Sequence, residues 1–129
     1  MTDIVIDSWA WIEYLDGSDL GSRVRDIILD GRNKLYTHSI SIAEIVSKEK
    51  RRKKDPETAW KAITNLTKIL RADEMDCKAI GLLHAEIKAT NKNFGLADSF
   101  VLYAARKMRG RVLTGDPDFK GVADAILLR

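Results

Sequence analysis

Short runs of apolar, often β-branched residues alternate along this chain with longer stretches in which apolar positions recur every three or four residues. The run Ile4-Val5-Ile6 has the length and composition of a buried strand. Similar runs predict strands at residues 34–37, 69–72, 111–114 and 125–128, of which the second is the weakest. The helical spacing between them predicts helices at residues 8–16, 19–30, 39–50, from 56 onward, 75–91 and 98–109. Strands that alternate with helices are typical of βαβ units and predict a short, mainly parallel sheet of four or five strands.

The segment 96–119 carries the clearest local pattern. An acid, Asp98, stands in the first turn of its predicted helix, cations fill the last turn, and Gly110 follows the helix end, an order typical of a helix. The strand at 111–114 then runs directly into a turn that contains Asp116 and Asp118. Because the carboxyl ends of parallel strands form the ligand crevice of such a sheet, this segment directs carboxylates to the edge where ligands usually bind.

Length and composition limit the class of protein. A chain of 129 residues is long enough for one domain with a core of its own, so we expect a single domain over 1–129. One cysteine, Cys77, excludes an internal disulfide and is most simply a small buried hydrophobe. No apolar run approaches the roughly 20 residues of a membrane span, and the first residues lack the features of a signal peptide. We therefore expect a cytoplasmic protein with no membrane segment.

The net charge of +3 is unevenly distributed, because residues 48–54 hold six basic residues and one acid. The remaining chain is mildly acidic. A basic block of this kind is either a solvated helix end with its linker or a surface that contacts phosphates, and the block alone does not decide between these two interpretations.

Four carboxylates occupy comparable places, each at or near the carboxyl end of a predicted strand or at the start of a helix. Each has a structural explanation: Asp7 could cap the following helix, and Glu44 could form a capping box with Ser41. Asp98 could interact with a helix dipole, and Asp116 could belong to an ordinary Asp-Pro turn.

Considered together, the four acids point to a metal ion. Two ionised carboxylates about 5 Å apart repel by about 3 kcal/mol at an effective dielectric constant near 20. Four at one sheet edge would carry a penalty comparable to the stability of a small domain. Either they lie apart or a divalent cation lies among them, and oxygen ligands without His or Cys favour Mg²⁺ or Mn²⁺.

The same residues give the chain a resemblance to the PIN-domain nuclease family, and within it to small single-domain toxins of the VapC type. The matching segments occur in the family's order and span nearly the whole chain: residues 5–8, 41–45, 96–105 and 113–119. The resemblance implies an α/β fold, a three-layer α/β/α sandwich around a parallel sheet.

The resemblance also implies the site and the chemistry. It makes Asp7, Glu44, Asp98 and Asp116 the catalytic, metal-binding acids, with Asp118 a candidate fifth ligand. Ser8 and Thr114 become supporting hydroxyls. The implied reaction is metal-assisted hydrolysis of an RNA phosphodiester bond, with an antitoxin as the partner that covers the active-site groove. The cations that could contact the RNA backbone are Lys50, Arg51, Arg52, Lys53, Lys54 and Arg106.

Three alternatives stay open at this point: a housekeeping RNA-processing nuclease without an antitoxin, a DNA-directed nuclease, and a catalytically silent PIN-like binding module.

The aromatic residues Trp9, Trp11 and Tyr14 exceed what one short helix can bury. With Trp60 they could therefore form core, a homodimer face or an antitoxin groove.

Other motifs are excluded by their residues. The stretch that starts at Asp116 begins like a calcium-binding loop, but Lys120 and Leu127 occupy ligand positions, so it does not fit that motif. There is no phosphate-binding glycine loop. The two histidines, His38 and His84, are far apart in the sequence and are expected to be structural, which argues against a zinc site.

Overall fold

A computed structural model of the chain describes residues 2–128. Its elements are, in order, β1 (Thr2–Ile6), α1 (Ser8–Asp16), α2 (Asp19–Leu29), β2 (Asn33–His38), α3 (Ser39–Arg51), α4 (Pro56–Leu66), β3 (Lys68–Leu70), α5 (Glu74–Lys88), α6 (Leu96–Lys107), β4 (Arg111–Thr114) and β5 (Ala125–Leu127), with one 3₁₀ turn at Pro117–Phe119.

All five strands belong to one parallel sheet in the order β3-β2-β1-β4-β5. The first strand is therefore the central one, with β2 on one side and β4 on the other. This placement brings the residues that follow β1, β2 and β4 to the same edge of the sheet, as the alternating sequence pattern predicts.

The side chains of β1 alternate between two cores. Ile4 and Ile6 pack with Trp11 and other residues of α1 to α4, whereas Val5 packs with Val101 and Leu102 of α6. Because consecutive side chains of a strand point to opposite faces, the sheet carries helices on both sides. The predicted α/β/α sandwich is confirmed.

The predicted element boundaries agree to within a few residues. The weak strand expected at 69–72 is β3 at Lys68–Leu70, the helix expected at 75–91 is Glu74–Lys88, and the last strand is one residue shorter than expected. Helix α6 begins two residues before Asp98 and ends at Lys107. The expectation that Cys77 is buried is wrong, because the residue is exposed on the solvent side of α5.

None of the helices in the described part of the chain has the length and apolar character needed to cross a lipid bilayer.

Two helix backbones come into close contact at Gly21, in the first turns of α2. A Cβ atom at this position would lie 2.1 Å from the carbonyl oxygen of Glu13 in α1. No side-chain carbon can approach a carbonyl oxygen that closely, so the glycine allows α1 and α2 to pack together. In contrast, a Cβ at Gly81, within α5, meets nothing within 4 Å.

We predict that Gly21→Ala destabilises the protein by about 1–3 kcal/mol, since the added methyl group forces the helices apart. Gly81→Ala is the matched control, and it should stabilise the protein by about 0.5–1 kcal/mol through helix propensity alone. Urea unfolding of the two variants measures both changes. A stabilising Gly21→Ala would contradict the described packing of α1 on α2.

Candidate active site

A cleft at the carboxyl edge of the sheet brings the predicted acids together. Its lining includes Asp7 after β1, Glu44 in α3, Asp98 in α6, and Asp116 and Asp118 after β4. The cleft has a volume of about 680 Å³, and its remaining walls come from α1, α3 and Asn93 in the loop before α6. Segments from the two ends of the chain thus meet because β1 and β4 are neighbouring strands of the sheet.

Asp7 is the most buried of these acids, with 5% of its surface exposed. Its Oδ1 accepts a hydrogen bond of 2.9 Å from the backbone N–H of Ala10, so the residue does cap α1. The Thr114 hydroxyl also hydrogen-bonds the Asp7 carboxylate, while Thr114 Oγ1 accepts the N–H of Asp116 at 3.0 Å. Because Thr114 Oγ1 accepts this hydrogen bond, its own hydroxyl hydrogen can be donated to the Asp7 carboxylate.

Glu44 lies on the cleft side of α3, and its carboxylate forms a hydrogen bond with the Ser8 side chain. The alternative of a capping box with Ser41 is wrong. Helix α3 begins three residues earlier than such a box requires, and its N-cap is His38, whose Nδ1 accepts the N–H of Ile40 at 3.1 Å. Glu44 is therefore not held by the start of its helix, and Ser8 is its described partner.

Asp98 and Asp116 each use one carboxylate oxygen to accept a hydrogen bond from the backbone. Oδ2 of Asp98 accepts the N–H of Gly95 at 2.8 Å, and Oδ1 of Asp116 accepts the N–H of Asp118 at 2.9 Å. Each bond fixes the orientation of a carboxylate at an element start. The bond of Asp116 belongs to the Asp-Pro turn that its structural explanation proposes, and Asp98 lies in the first turn of α6. Within residues 2–128 the second oxygen of each group accepts no such bond and can serve a ligand.

Three of the carboxylates form a group tight enough for a shared ion. Asp98, Asp116 and Asp118 each offer an oxygen within 4.8 Å of the others. Oxygens bound to a common Mg²⁺ lie within about 4.2 Å of one another, because each is about 2.1 Å from the ion. Small side-chain rotations suffice, so these three acids fit a hard divalent cation. The candidate fifth ligand Asp118 belongs to this group, whereas Asp7 and Glu44 line the same cleft but lie outside it.

The clustering changes the acidity of these groups. Burial raises the pKa of Asp7 to about 7, with further increases from the charges of Asp98 and Asp116, and hydrogen bonds from Thr114 and Ala10 oppose the rise.

Burial likewise raises the pKa of Asp98 to about 6, and the neighbouring acids add to it. The pKa of Glu44 is also raised, first by partial desolvation of a carboxylate whose residue is otherwise open to solvent. Desolvation and the charge of Asp116 raise the pKa of Asp118. A bound cation would favour the ionised forms of all these groups.

The predicted RNA-contacting cations separate into distinct groups. Arg51 lines the cleft, whereas Arg52 and Lys54 form ion pairs with Asp16 at the end of α1. Arg106 pairs with Asp124, away from the acids. Lys50 and Lys53 are exposed, but neither lines the cleft.

Lys48 also lines the cleft; it was counted in the basic block 48–54 but not among the individual candidate RNA contacts. Its position four residues after Glu44 places it on the same face of α3, and this spacing could have identified it.

Both histidines have structural roles, whereas the aromatic residues differ in burial and position. His38 caps α3 and packs against Phe100 with ring centroids 5.5 Å apart, and His84 hydrogen-bonds the Phe94 carbonyl at 3.1 Å. Trp11 is fully buried, whereas Trp60 is 46% exposed. Trp9 lines the cleft. A Cβ atom on Gly115 would lie 2.1 Å from the Trp9 ring, so the glycine leaves the space that the ring occupies.

The family of the chain follows from its match to the family model of the PIN domain, which covers residues 4–125. The chain belongs to the PIN domain family. No curated protein matches it by sequence.

Solved structures share the fold at low identity. The chain is similar to a toxin–antitoxin complex from Klebsiella pneumoniae (TM-score 0.72, 16% identity, 98% of each chain covered). It is also similar to VapC20 of Mycobacterium tuberculosis, described as a sarcin–ricin loop cleaving toxin (TM-score 0.76, 12% identity, 94% of this chain and 95% of that one). A third similar structure is VapBC2 from Rickettsia felis bound to a promoter DNA fragment (TM-score 0.70, 17% identity, 97% and 96% covered).

We predict that Asp7→Asn stabilises the protein in EDTA at pH 8. The folded pKa of Asp7, about 7, lies above its ordinary value of 3.8. The neutral carboxyl of Asp7 therefore contributes in full to the stability of the folded wild type below about pH 4, and this contribution is lost as the pH rises through 7. Asn keeps the cap but does not ionise, so the gain should reach a few kcal/mol, at about 1.4 kcal/mol per pKa unit.

Urea unfolding at pH 5 and pH 8 measures this difference, with the exposed Asp26→Asn as the control. Excess Mg²⁺ should reduce or reverse the advantage of Asn, because a bound ion stabilises the folded wild type. Identical pH dependence in the wild type and Asp7→Asn would contradict the prediction.

Proposed function

We propose that this protein is a Mg²⁺-dependent endoribonuclease that hydrolyses RNA phosphodiester bonds and acts as the toxin of a toxin–antitoxin pair. The observation that carries the proposal is the convergence of five carboxylates in one cleft, among which the pKa values of Asp7 and Asp98 are raised, together with two cations, Lys48 and Arg51, that line the same cleft. Carboxylates of this kind bind a hard cation, and the cations suit a polyanionic substrate.

In the proposed site Asp7 and Asp98 are direct ligands, Glu44 binds a second ion or orients the attacking water, and Asp116 completes the cluster with Asp118. When bound, Mg²⁺ lowers the pKa of a coordinated water and stabilises charge on the phosphoryl and leaving oxygens; Mn²⁺ can supply the same chemistry.

The protein's own residues hold this arrangement in place. Backbone N–H groups fix one oxygen each of Asp7, Asp98 and Asp116, and the hydroxyls of Thr114 and Ser8 hold Asp7 and Glu44. Oriented ligands of this kind reduce the rearrangement needed to bind the ion and substrate.

The toxin assignment is supported by similarity in fold to a Klebsiella toxin–antitoxin complex and to VapC20. We therefore propose an antitoxin as the partner, together with a homodimer. Trp60, which stands exposed beside Pro56 and Val46 in the α3–α4 hairpin, is the candidate aromatic contact. A housekeeping RNA-processing nuclease is the alternative, while the complete set of acids argues against a catalytically silent module.

We predict that the protein cleaves RNA in Mg²⁺, that EDTA abolishes cleavage, and that Asp98→Asn reduces the rate by about 100-fold or more. The reason is that the amide removes the charge that holds the cation while it preserves the size of the side chain. Gel electrophoresis of a labelled RNA and of a DNA of the same sequence measures the cleavage and its preference.

Asp26→Asn is the matched control, because it removes an exposed acid outside the cleft and should leave the rate unchanged. Equal activity in Mg²⁺, in EDTA and after Asp98→Asn would refute the metal-nuclease proposal. Cleavage of the DNA alone would refute the RNA part of it.

A further inference from the structure

The active-site cleft has a basic wall as well as an acidic one. Helix α3 contributes Glu44, Ser47, Lys48 and Arg51 to the lining. Glu44 and Lys48 are four positions apart and Lys48 and Arg51 three, so these charged residues share one face of the helix. The charge along this face changes from negative beside the acids to positive at the end of α3, within two helical turns.

The other cations of the 48–54 block are directed elsewhere. Asp16 holds Arg52 and Lys54 in ion pairs, which fasten the end of α3 to the end of α1. Lys50 and Lys53 do not line the cleft. Within residues 2–128, neither Lys48 nor Arg51 forms an ion pair, although several carboxylates share the cleft with them.

A favourable interaction with the helix dipole does not explain this placement. Lys48, Lys50 and Arg51 all stand in the last turn of α3, and each interacts with the negative end of the dipole wherever it lies around the helix. The dipole therefore accounts for cations in the last turn, but it gives no reason for two of them to face the cleft.

We propose that Lys48 and Arg51 bind successive phosphates of the substrate strand on one side of the bond that is cut. This inference rests on the proposed nuclease function. It adds the path of the strand, which runs from the acids along α3 towards its carboxyl end.

The helix sets the spacing of these contacts. With a rise of 1.5 Å per residue, the α-carbon of Lys48 lies about 6 Å beyond that of Glu44 along the helix axis, and that of Arg51 about 10 Å. Two cations on successive turns thus follow a strand that leaves the acidic group. Arg51 is further placed by its Nε, which lies 3.4 Å from the Ser47 Oγ, and its remaining guanidinium N–H groups can donate to a phosphate.

The test compares Lys48→Ala/Arg51→Ala with a matched double variant, Arg25→Ala/Lys61→Ala. The control pair also removes one arginine and one lysine, both from exposed helix positions outside the cleft. Binding of a fluorescein-labelled, mixed-sequence single-stranded 12-nucleotide RNA is measured in Mg²⁺ on an Asp98→Asn background, over a range of salt concentrations. Cleavage by the proteins with Asp98 intact gives kcat and KM.

We expect the cleft variant to raise Kd and KM by about 10-fold or more and to leave kcat within about 3-fold, because contacts equally strong in ground and transition states affect KM alone. The slope of log Kd against log salt should fall by about 1.4, at about 0.7 per phosphate contact with a single strand. Lys48→Arg/Arg51→Lys should keep the slope, and the control pair should stay close to the wild type.

Equal changes in the cleft variant and the control pair would overturn the inference while RNA cleavage by the wild type still supports the proposed function. A cleft variant that lowers kcat with KM and the salt slope unchanged would also overturn it. An unmodified protein that neither binds nor cleaves RNA would refute the proposed function and this inference together.

Discussion

The constraint on which this structure depends is the repulsion among carboxylates at the carboxyl edge of a parallel sheet. Burial, and to a smaller extent the neighbouring negative charges, raise the pKa values of Asp7 and Asp98, so the fold holds these carboxylates in surroundings that disfavour their ionised forms. They stay together because backbone N–H groups fix one oxygen of each of these acids. The same bonds that cap the helices therefore also assemble the site, and the structural and functional explanations of these acids are compatible.

This double use explains how much of the site could be predicted from the sequence. An acid that follows a parallel strand, such as Asp7 or Asp116, must lie at the ligand edge, since the topology of βαβ units leaves it nowhere else. The position of Glu44 followed less directly, because it lies within α3 rather than at the end of a strand. The sequence pattern predicted the start of α3 at residue 39 correctly, but the capping box of Ser41 with Glu44 requires a start three residues later. The N-cap is His38, a residue whose ring can cap but which sequence rules rarely choose.

Backbone conformation at the end of α6 was beyond prediction for a similar reason. In the sequence Gly110 follows the predicted helix end, a position at which many helices place a glycine in the left-handed conformation. The structure gives that conformation to Arg109, at φ 57°. Gly110 is needed for another purpose, since a Cβ there would lie 2.4 Å from the carbonyl oxygen of Asp3 in β1. The glycine at 110 is required by a tertiary contact between the end of α6 and the sheet, and the local sequence does not reveal that contact.

The basic block shows how one local sequence is divided by the fold. Six cations in a row of seven residues predict only a positive surface, yet helical geometry and one acid in α1 separate them. Asp16 takes two cations that lie beyond the last turn of α3, and this attachment fixes the helix that forms the cleft wall. The cations on the Glu44 face stay within the cleft beside the acids. Carboxylates suit a metal ion and cations suit a polyanion, and α3 presents Glu44 and two cations to the same cleft because its charges are ordered along its length.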